Sequence, residues 1–510
     1  MRLSNIKNFC FLILLIAGIF GLGFLLHSSM QGAFEFNPDE GTNLIKARLV
    51  REGFDLYKQI WSDQPPLFTA LLSSWFGLFG SSVYSGRLLV LLFSILLLWG
   101  LYQNIRIRID ILTARIACLF LILSSGFPLL SISVMIGIPS LALAVLSLYC
   151  ATAYACSGRK TELALSAGFM AFSLLTKFFT VFMVPIILLE IILRKNQDKK
   201  TSDRVLLPGI FWFSGVTLIY SLVIIAYFYP ELRLFTEQLF KPHIAQINIP
   251  GADFSVIIRS LIQDFDLTLL AIFGLLTNLR AKKSGQILLP GLWLGMTLLF
   301  FTLHRPVWDH YYLLISIPIC WLAAIFFTRS LRKIRDRKSL FYFPALLLII
   351  LTAAMAPLKL LDAGFLLDLS GKGEERKVLD LIAGTQKANR WIFTDLPIYA
   401  FKGNLLVPPE TAVLTVKRIP TTELIEQVLR KYKPGSILLG RFKDYDPAIK
   451  PVILADYRKA AGLSIRKPLL NSFLLRRPIR YFSRQNKKFP CFYTQDLVFY
   501  IRKDTAGRKR

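Results

Sequence analysis

Acidic residues and cysteines are scarce in this 510-residue chain, and charge is thin altogether: 32 Asp+Glu stand against 61 Lys+Arg, and charged residues make up only 18%. Soluble domains carry about 25% charged residues, so the deficit excludes the three or four soluble domains that length alone suggests. The six cysteines are scattered. Cys118, Cys150 and Cys320 lie in apolar runs, Cys10 and Cys156 beside them, and Cys491 alone in the polar C-terminal region. A lone cysteine excludes a disulfide within that region, and no CxxC or Cys/His metal spacing occurs. Internal repeats and low-complexity tracts are lacking too.

What the chain has instead is apolar mass, with 54% hydrophobic residues and 41 Phe. Apolar runs of roughly 20 residues, the length that crosses a bilayer, recur as far as residue 361. The chain reads as a polytopic membrane protein, which leaves transporter, channel and membrane-embedded enzyme. A net charge of +29 would suggest nucleic acid in a soluble protein. In a membrane protein it falls first under the inside-positive loop rule, and no nucleic-acid partner is expected.

Residues 9–26 follow Arg2 and Lys7, lack a small-x-small cleavage site and precede many further spans, so they read as a first transmembrane helix rather than a signal peptide. Helices are expected near 9–28, 83–102, 114–130, 133–155, 162–176, 178–193, 207–229, 266–280, 288–303, 310–328 and 340–361, about eleven spans in all. Alternate loops then carry the basic clusters: Arg106, Arg108 and Arg115; Arg159 and Lys160; Arg194 to Arg204; Arg280 to Lys283; Arg329 to Lys338. These loops and the N-terminus are placed in the cytoplasm. The loops 30–66, 230–265 and 304–309, and everything after about 362, fall on the exoplasmic face.

The expected architecture is an all-α membrane domain over 1–361, with 30–66 as its first exoplasmic loop, and a C-terminal α/β exoplasmic domain over 362–510. Strand-like runs at Trp391-Ile-Phe and Ser436-Ile-Leu-Leu alternate there with helix-like stretches at 374–382 and 422–431. Its basic character reads either as attraction to anionic head groups or an anionic acceptor, or as a solvated surface.

The first exoplasmic loop holds the chemistry. Asn37-Pro38 turns the chain into a helix whose start carries Asp39 and Glu40, and the loop ends in Trp61-Ser-Asp-Gln-Pro-Pro-Leu67. Asp39 reads as a helix N-cap or as a functional carboxylate, Glu40 as its neighbour or a partner of the helix dipole, and Asp63 as a turn opener or a ligand. Later come Lys177, closing Leu174-Leu-Thr, and the string His304-Arg-Pro-Val-Trp-Asp-His-Tyr-Tyr312. Lys177, Arg305 and His310 suit a phosphate by donor geometry and charge. The bland readings are an interfacial Lys177, an Arg305–Asp309 pair, and a membrane-interface belt of Trp308, Tyr311 and Tyr312.

This ordered set resembles the membrane glycosyltransferases of GT-C fold that take sugar from a polyprenyl-phosphate carrier, such as protein O-mannosyltransferases and lipid A aminoarabinose transferases. The resemblance covers most of the chain and extends to Thr394-Asp395 and Pro408-Pro409 in the terminal domain. It implies an inverting transfer to a lipid, glycan or protein acceptor, with Asp39 the catalytic carboxylate and Glu40 its neighbour. Asp63, Lys177, Arg305, His310 and Tyr311 would bind substrate. It further implies a divalent metal cation held by Asp63 and His243 of Phe240-Lys-Pro-His243. The sequence departs from the pattern at Ile136-Gly-Ile-Pro139, where many relatives carry a further acid. Expected partners are the polyprenyl-phosphate-linked sugar, an acceptor and membrane lipids, and the expected location is a bacterial inner membrane with the terminal domain periplasmic. The rivals are a transporter or flippase, a ligase-type transferase of whole glycans and a non-catalytic relative; the acids in extramembrane loops speak against the transporter.

Overall fold

The computed structural model describes residues 30–195, 207–228, 232–241, 254–280, 284–333, 342–369, 374–385, 389–414, 418–440, 449–468 and 492–503. The first expected span, 9–28, and His243 lie outside these residues, as does the second half of the Arg329 to Lys338 loop.

The loop expected over 30–66 contains a helix, α1 (Pro38–Arg51). Asn37 caps it, its side chain accepting from the Asp39 N–H at 3.0 Å, and Pro38 occupies the first helical position. Asp39 and Glu40 in its first turn and Arg48 and Arg51 in its last complement the helix dipole. A second helix that the sequence reading left unassigned, α2 (Leu67–Phe79), starts directly after Pro66.

The membrane bundle comprises α3 (Val83–Arg108), α4 (Ile111–Leu123), α5 (Gly137–Ser157), α6 (Lys160–Thr176), α7 (Met183–Lys195), α8 (Leu207–Phe228), α9 (Ser255–Gln263), α10 (Phe265–Arg280), α11 (Ser284–Leu303), α12 (Leu313–Lys333) and α13 (Tyr342–Leu369). Among the described residues five helices are long and apolar enough to cross a membrane, and five shorter apolar helices accompany them. The span expected over 114–130 is shorter than predicted, because α4 ends at Leu123 and a separate turn follows at Phe127–Leu130, next to Gly126 and Pro128.

Small polar residues hold α5 against α6. Ser147 and Ser166 exchange hydroxyl-to-carbonyl bonds at 2.7 and 2.8 Å, Ser173 donates to the Ser140 carbonyl at 2.8 Å, and Trp212 of α8 donates to the Ser166 hydroxyl at 2.9 Å. In hydrocarbon, where burying another leucine gains nothing over lipid, such close contacts and hydrogen bonds supply the association. Helix α12 is buried on nearly every side, and α10 approaches it so closely that a Cβ on Gly274 would lie 2.4 Å from the Leu322 carbonyl oxygen. Helices α8 and α11 leave most of their apolar surface outside, with Phe211, Leu218, Leu222 and Leu299 exposed. That surface suits lipid contact, and the protein is a multi-pass membrane protein.

The C-terminal part is α/β, as expected. Helix α14 (Glu374–Ala383), strand β1 (Ile392–Thr394), α15 (Pro397–Lys402), α16 (Thr422–Tyr432), β2 (Ser436–Leu439), α17 (Ile449–Asp456), β3 (Tyr457–Pro468) and β4 (Phe492–Arg502) follow in order. The strands form one mixed sheet of order β1-β2-β4-β3, with β1 parallel to β2 and the other pairings antiparallel. Asp395, just past β1, accepts from the Gly440 N–H at 2.9 Å and so ties the ends of the two parallel strands.

This domain sits on α1. A Cβ on Gly41 would lie 2.6 Å from the Ile398 nitrogen, so the helix that starts with Asp39 is pressed against α15 at backbone distance. Arg48 donates to Asn404 Oδ1 at 2.7 Å, Arg390 pairs with Glu52 at 3.3 Å, and Phe34 meets Tyr399 with ring centroids 4.6 Å apart.

Candidate active site

Capping of α1 falls to Asn37, so the bland reading of Asp39 as the N-cap does not hold: Asp39 is the second helical residue and is exposed. Its neighbour points the other way. Glu40 is fully buried and makes a bidentate pair with Arg87 of α3, Nε to Oε1 and Nη2 to Oε2 both at 2.8 Å. The Val134 and Phe36 N–H groups complete its shell at 3.1 and 3.0 Å. Arg87 in turn donates to the Met30 and Ala33 carbonyls at 2.8 and 2.9 Å. Every lone pair that Glu40 offers is taken, and these contacts anchor the entry to α1.

Asp63 is half-buried on the segment between α1 and α2. That segment is held in place by Ser62, whose N–H donates to Gln238 Oε1 at 3.2 Å while Gln238 donates to the Tyr57 carbonyl at 2.7 Å. A residue passed over in the sequence joins the two acids. Lys46, two turns along α1 from Asp39, is 2% exposed and donates to Ser62 Oγ at 3.5 Å. Burial pulls its ammonium below the usual lysine range, and the charges of Asp63 and then Asp39 oppose that shift. The spacing of seven put Lys46 on the face of Asp39, but an amphipathic helix offers no sign that a lysine on it is buried.

The same two carboxylates act electrostatically on Tyr311, which precedes α12 in the turn Asp309–Tyr312. Tyr311 stacks nearly parallel on Phe301 and Phe179, with centroids 6.1 and 6.0 Å away, and His304 and His310 flank it at 6.1 and 4.7 Å. Lys177, at the end of α6, places its Nζ 4.7 Å over the Phe179 ring and 4.9 Å over Tyr311, and its charge is felt by His310. A buried ammonium enclosed by aromatic faces is a cation–π arrangement, and the interfacial reading of Lys177 fails at 8% exposure. The aromatic-belt reading fails likewise for Tyr311 and Tyr312, both buried. Arg305, joined to Pro306 by a cis peptide, is exposed.

Tyr312 belongs to a second cluster that the sequence did not disclose. Its hydroxyl donates to Asp264 Oδ2 at 2.5 Å, Ser125 Oγ donates to Asp264 Oδ1 at 2.7 Å, and Lys359 of α13 bridges Asp264 and Asp266 at 2.9 and 2.7 Å. These bonds bind α10, α12 and α13 together directly below the Tyr311 turn. Beside it a solvent-open cleft is lined by Asn37, Ser125, Arg259, Gln263, Asp309 and His310 among others.

The structure thus packs Lys177 and His310 against Tyr311, leaves Asp39 and Asp63 within electrostatic reach of Tyr311 and of the buried Lys46, and points Glu40 toward Arg87. No group of three or more His, Cys, Asp or Glu residues suited to a metal occurs among the described residues, and the expected ligand His243 is not one of them. Of the two expected ligands only Asp63 is among the described residues, and its charge acts on the buried ammonium of Lys46.

The arrangement of helices compares with solved structures of low sequence identity. ArnT from Cupriavidus metallidurans bound to undecaprenyl phosphate matches with a TM-score of 0.64 at 13% identity, over 98% of this chain and 99% of that one. The same protein in the apo state matches with a TM-score of 0.59 at 14% identity, over 99% and 100%. The chain has the GT-C fold. The oligosaccharyltransferase of Archaeoglobus fulgidus in complex with zinc and sulfate shares it with a TM-score of 0.53 at 11% identity, over 93% of this chain and 85% of that one. A family model described as dolichyl-phosphate-mannose-protein mannosyltransferase matches residues 63–225, from Asp63 into α8. No curated protein matches in sequence.

Proposed function

We propose that this chain is an inverting glycosyltransferase that moves a sugar from a polyprenyl-phosphate carrier to a hydroxyl-bearing lipid, glycan or protein acceptor. The reaction would run at the membrane face bearing residues 30–66 and the domain over 362–510, the periplasmic face if the host is a bacterium. The observation that supports the reading is the surrounding of Tyr311: the Lys177 ammonium lies 4.9 Å over its ring, and the charges of Asp39, on the loop helix, and Asp63, on its exit segment, act on its hydroxyl.

A sugar on a lipid phosphate already has a good leaving group, so the protein has two tasks, to take a proton from the acceptor and to steady the departing phosphate. Asp39, exposed at the start of α1, takes the proton as the acceptor oxygen bonds to the anomeric carbon. The bond from that carbon to the phosphate oxygen breaks on the opposite face. The released phosphomonoester is met by Lys177, the N–H of His310 and Arg305. Asp63 accepts from sugar hydroxyls, and Lys46 holds the two carboxylates in register. Attack from one face and departure from the other inverts the anomeric centre without a glycosyl-enzyme. No step is assigned to a divalent ion.

The test is to incubate the purified protein with a panel of labelled polyprenyl-phosphate sugars and to measure release of the free carrier. At least one donor should turn over, and Lys177→Ala should weaken its use about ten- to a hundredfold, the loss of one charge-assisted contact. Release from no donor across the panel would sink the proposal. Unchanged donor kinetics in Lys177→Ala would take that lysine out of the phosphate site.

A further inference from the structure

A buried guanidinium in the C-terminal domain has no part in the chemistry above. Arg418, shortly before α16, lies over Trp61 with its guanidinium carbon 5.1 Å from the ring centroid. The terminal domain therefore touches the first loop two residues ahead of Asp63. Burial lowers the guanidinium to about 10, and the charge of Glu410 opposes that shift. Stacking on an indole strips water from the flat faces of the group, so its N–H edges need acceptors. Nη1 is buried and has no hydrogen-bond partner.

Glu410 shows the complementary defect. Its Oε1 accepts from Lys431 at 2.7 Å and from the Tyr432 hydroxyl at 3.0 Å, whereas Oε2 is buried without a partner. Three residues past Trp61, Gln64 Oε1 is buried and unpartnered as well. Such atoms are uncommon in folded proteins, and each one costs stability. A donor left open on Arg418 and an acceptor left open on the carboxylate that acts on it constrain what could bind to both. An anion would satisfy the arginine but meet the charge of Glu410. A hydroxyl satisfies both, since it accepts and donates at once. Water does the same, yet water has no flat apolar face to lay on a half-buried indole.

We propose that Trp61, Arg418 and Glu410 form a saccharide subsite for a neutral sugar ring with adjacent hydroxyls. The ring is either the sugar being transferred or a sugar of the acceptor. Binding stands on the unfilled polar atoms, and only its role in transfer rests on the function proposed above.

The experiment uses the full chain in detergent. Saturation-transfer NMR with a set of methyl hexosides and pentosides should show contact to at least one ring, lost in Arg418→Met and weakened in Glu410→Gln. Inorganic phosphate should neither shift the melting temperature nor compete. Arg418→Met should melt at the wild-type temperature or above, because it removes a buried donor that lacks a partner; a merely structural arginine would melt lower. Arg418→Lys, which keeps the charge but loses the planar fork, should also bind the glycoside less well. Where turnover is measured, Arg418→Met should raise one KM roughly ten- to a hundredfold with kcat little changed. A rise for the donor assigns the ring to the transferred sugar, and a rise for the acceptor assigns it to the acceptor.

No glycoside contact in the wild type, contact that survives Arg418→Met, or phosphate binding at this arginine would each overturn the subsite. Glycoside binding in a protein that transfers no sugar would leave the subsite standing and remove the catalytic reading instead.

Discussion

Asp39 and Glu40 are adjacent in sequence and both acidic, yet their surroundings give them opposite duties, and substitution should separate them. Asp39→Asn leaves the cap untouched, because Asn37 supplies it, so the melting temperature should hold. If Asp39 is the base, turnover should fall about a hundredfold or more. Near-normal transfer by Asp39→Asn would end that assignment. Glu40→Gln keeps the size of the side chain but leaves Arg87 charged and fully buried. Breaking a buried pair on one side costs about 3 to 5 kcal/mol, so this variant should melt well below the wild type. A Glu40→Gln protein of normal stability and lost activity would place Glu40 in the chemistry.

At the level of elements, the region between α1, α3 and α15 depends on a few charges packed at close range. Lys402, in the last turn of α15, lies 4.4 Å over the Phe34 ring and donates to the Ala33 carbonyl at 3.3 Å. Burial, with Arg87 adding repulsion, lowers its ammonium to about 8. An unfolded lysine titrates near 10.4. Between those values the unfolded chain binds more protons than the folded one at this site, so stability from Lys402 rises as pH climbs through that window. Thermal melts of the wild type and Lys402→Met should therefore differ in slope between pH 8 and pH 10, the wild type gaining relative to the variant. Parallel curves would show that the side chain is not buried against loop 30–66 in solution. In the bundle, the ring of bonds around Asp264 is closed by Lys359, Tyr312 and Ser125. That closure suits a brace for the Tyr311 turn better than the ion path a transporter would need.

For the whole molecule, the proposal requires Asp39, Asp63, Lys177 and the terminal domain to face one side of the membrane. The exposed thiol of Cys156 near the end of α5 and the exposed Ser464 in β3 are suitable reporters. In a Cys491→Ser background, an impermeant thiol reagent should label Ser464→Cys in intact cells and reach Cys156 only after the membrane is opened. Labelling of both from outside would refute the shared face, and the catalytic reading with it.

The segments of the membrane bundle were legible in the sequence because hydrocarbon imposes a minimum apolar length that few other structures need, and the helices α3, α5, α8, α11 and α12 fall close to the expected spans. Strands β1 and β2 and helices α14 and α16 of the terminal domain were readable for a similar local reason, since the pattern belongs to each segment by itself. Asp39, Asp63, Lys177 and His310 stood out as polar residues at the ends of apolar runs. Tertiary structure alone decided the rest. Arg87 lies 47 positions from Glu40, and only the packing of α1 against α3 pairs the two. Lys46 looks like any lysine of a surface helix until the segment at Ser62 closes over it, and Arg418 until Trp61 lies beneath it. Burial of a charged side chain is a property of what the distant chain lays on top, and no local pattern of residues encodes it.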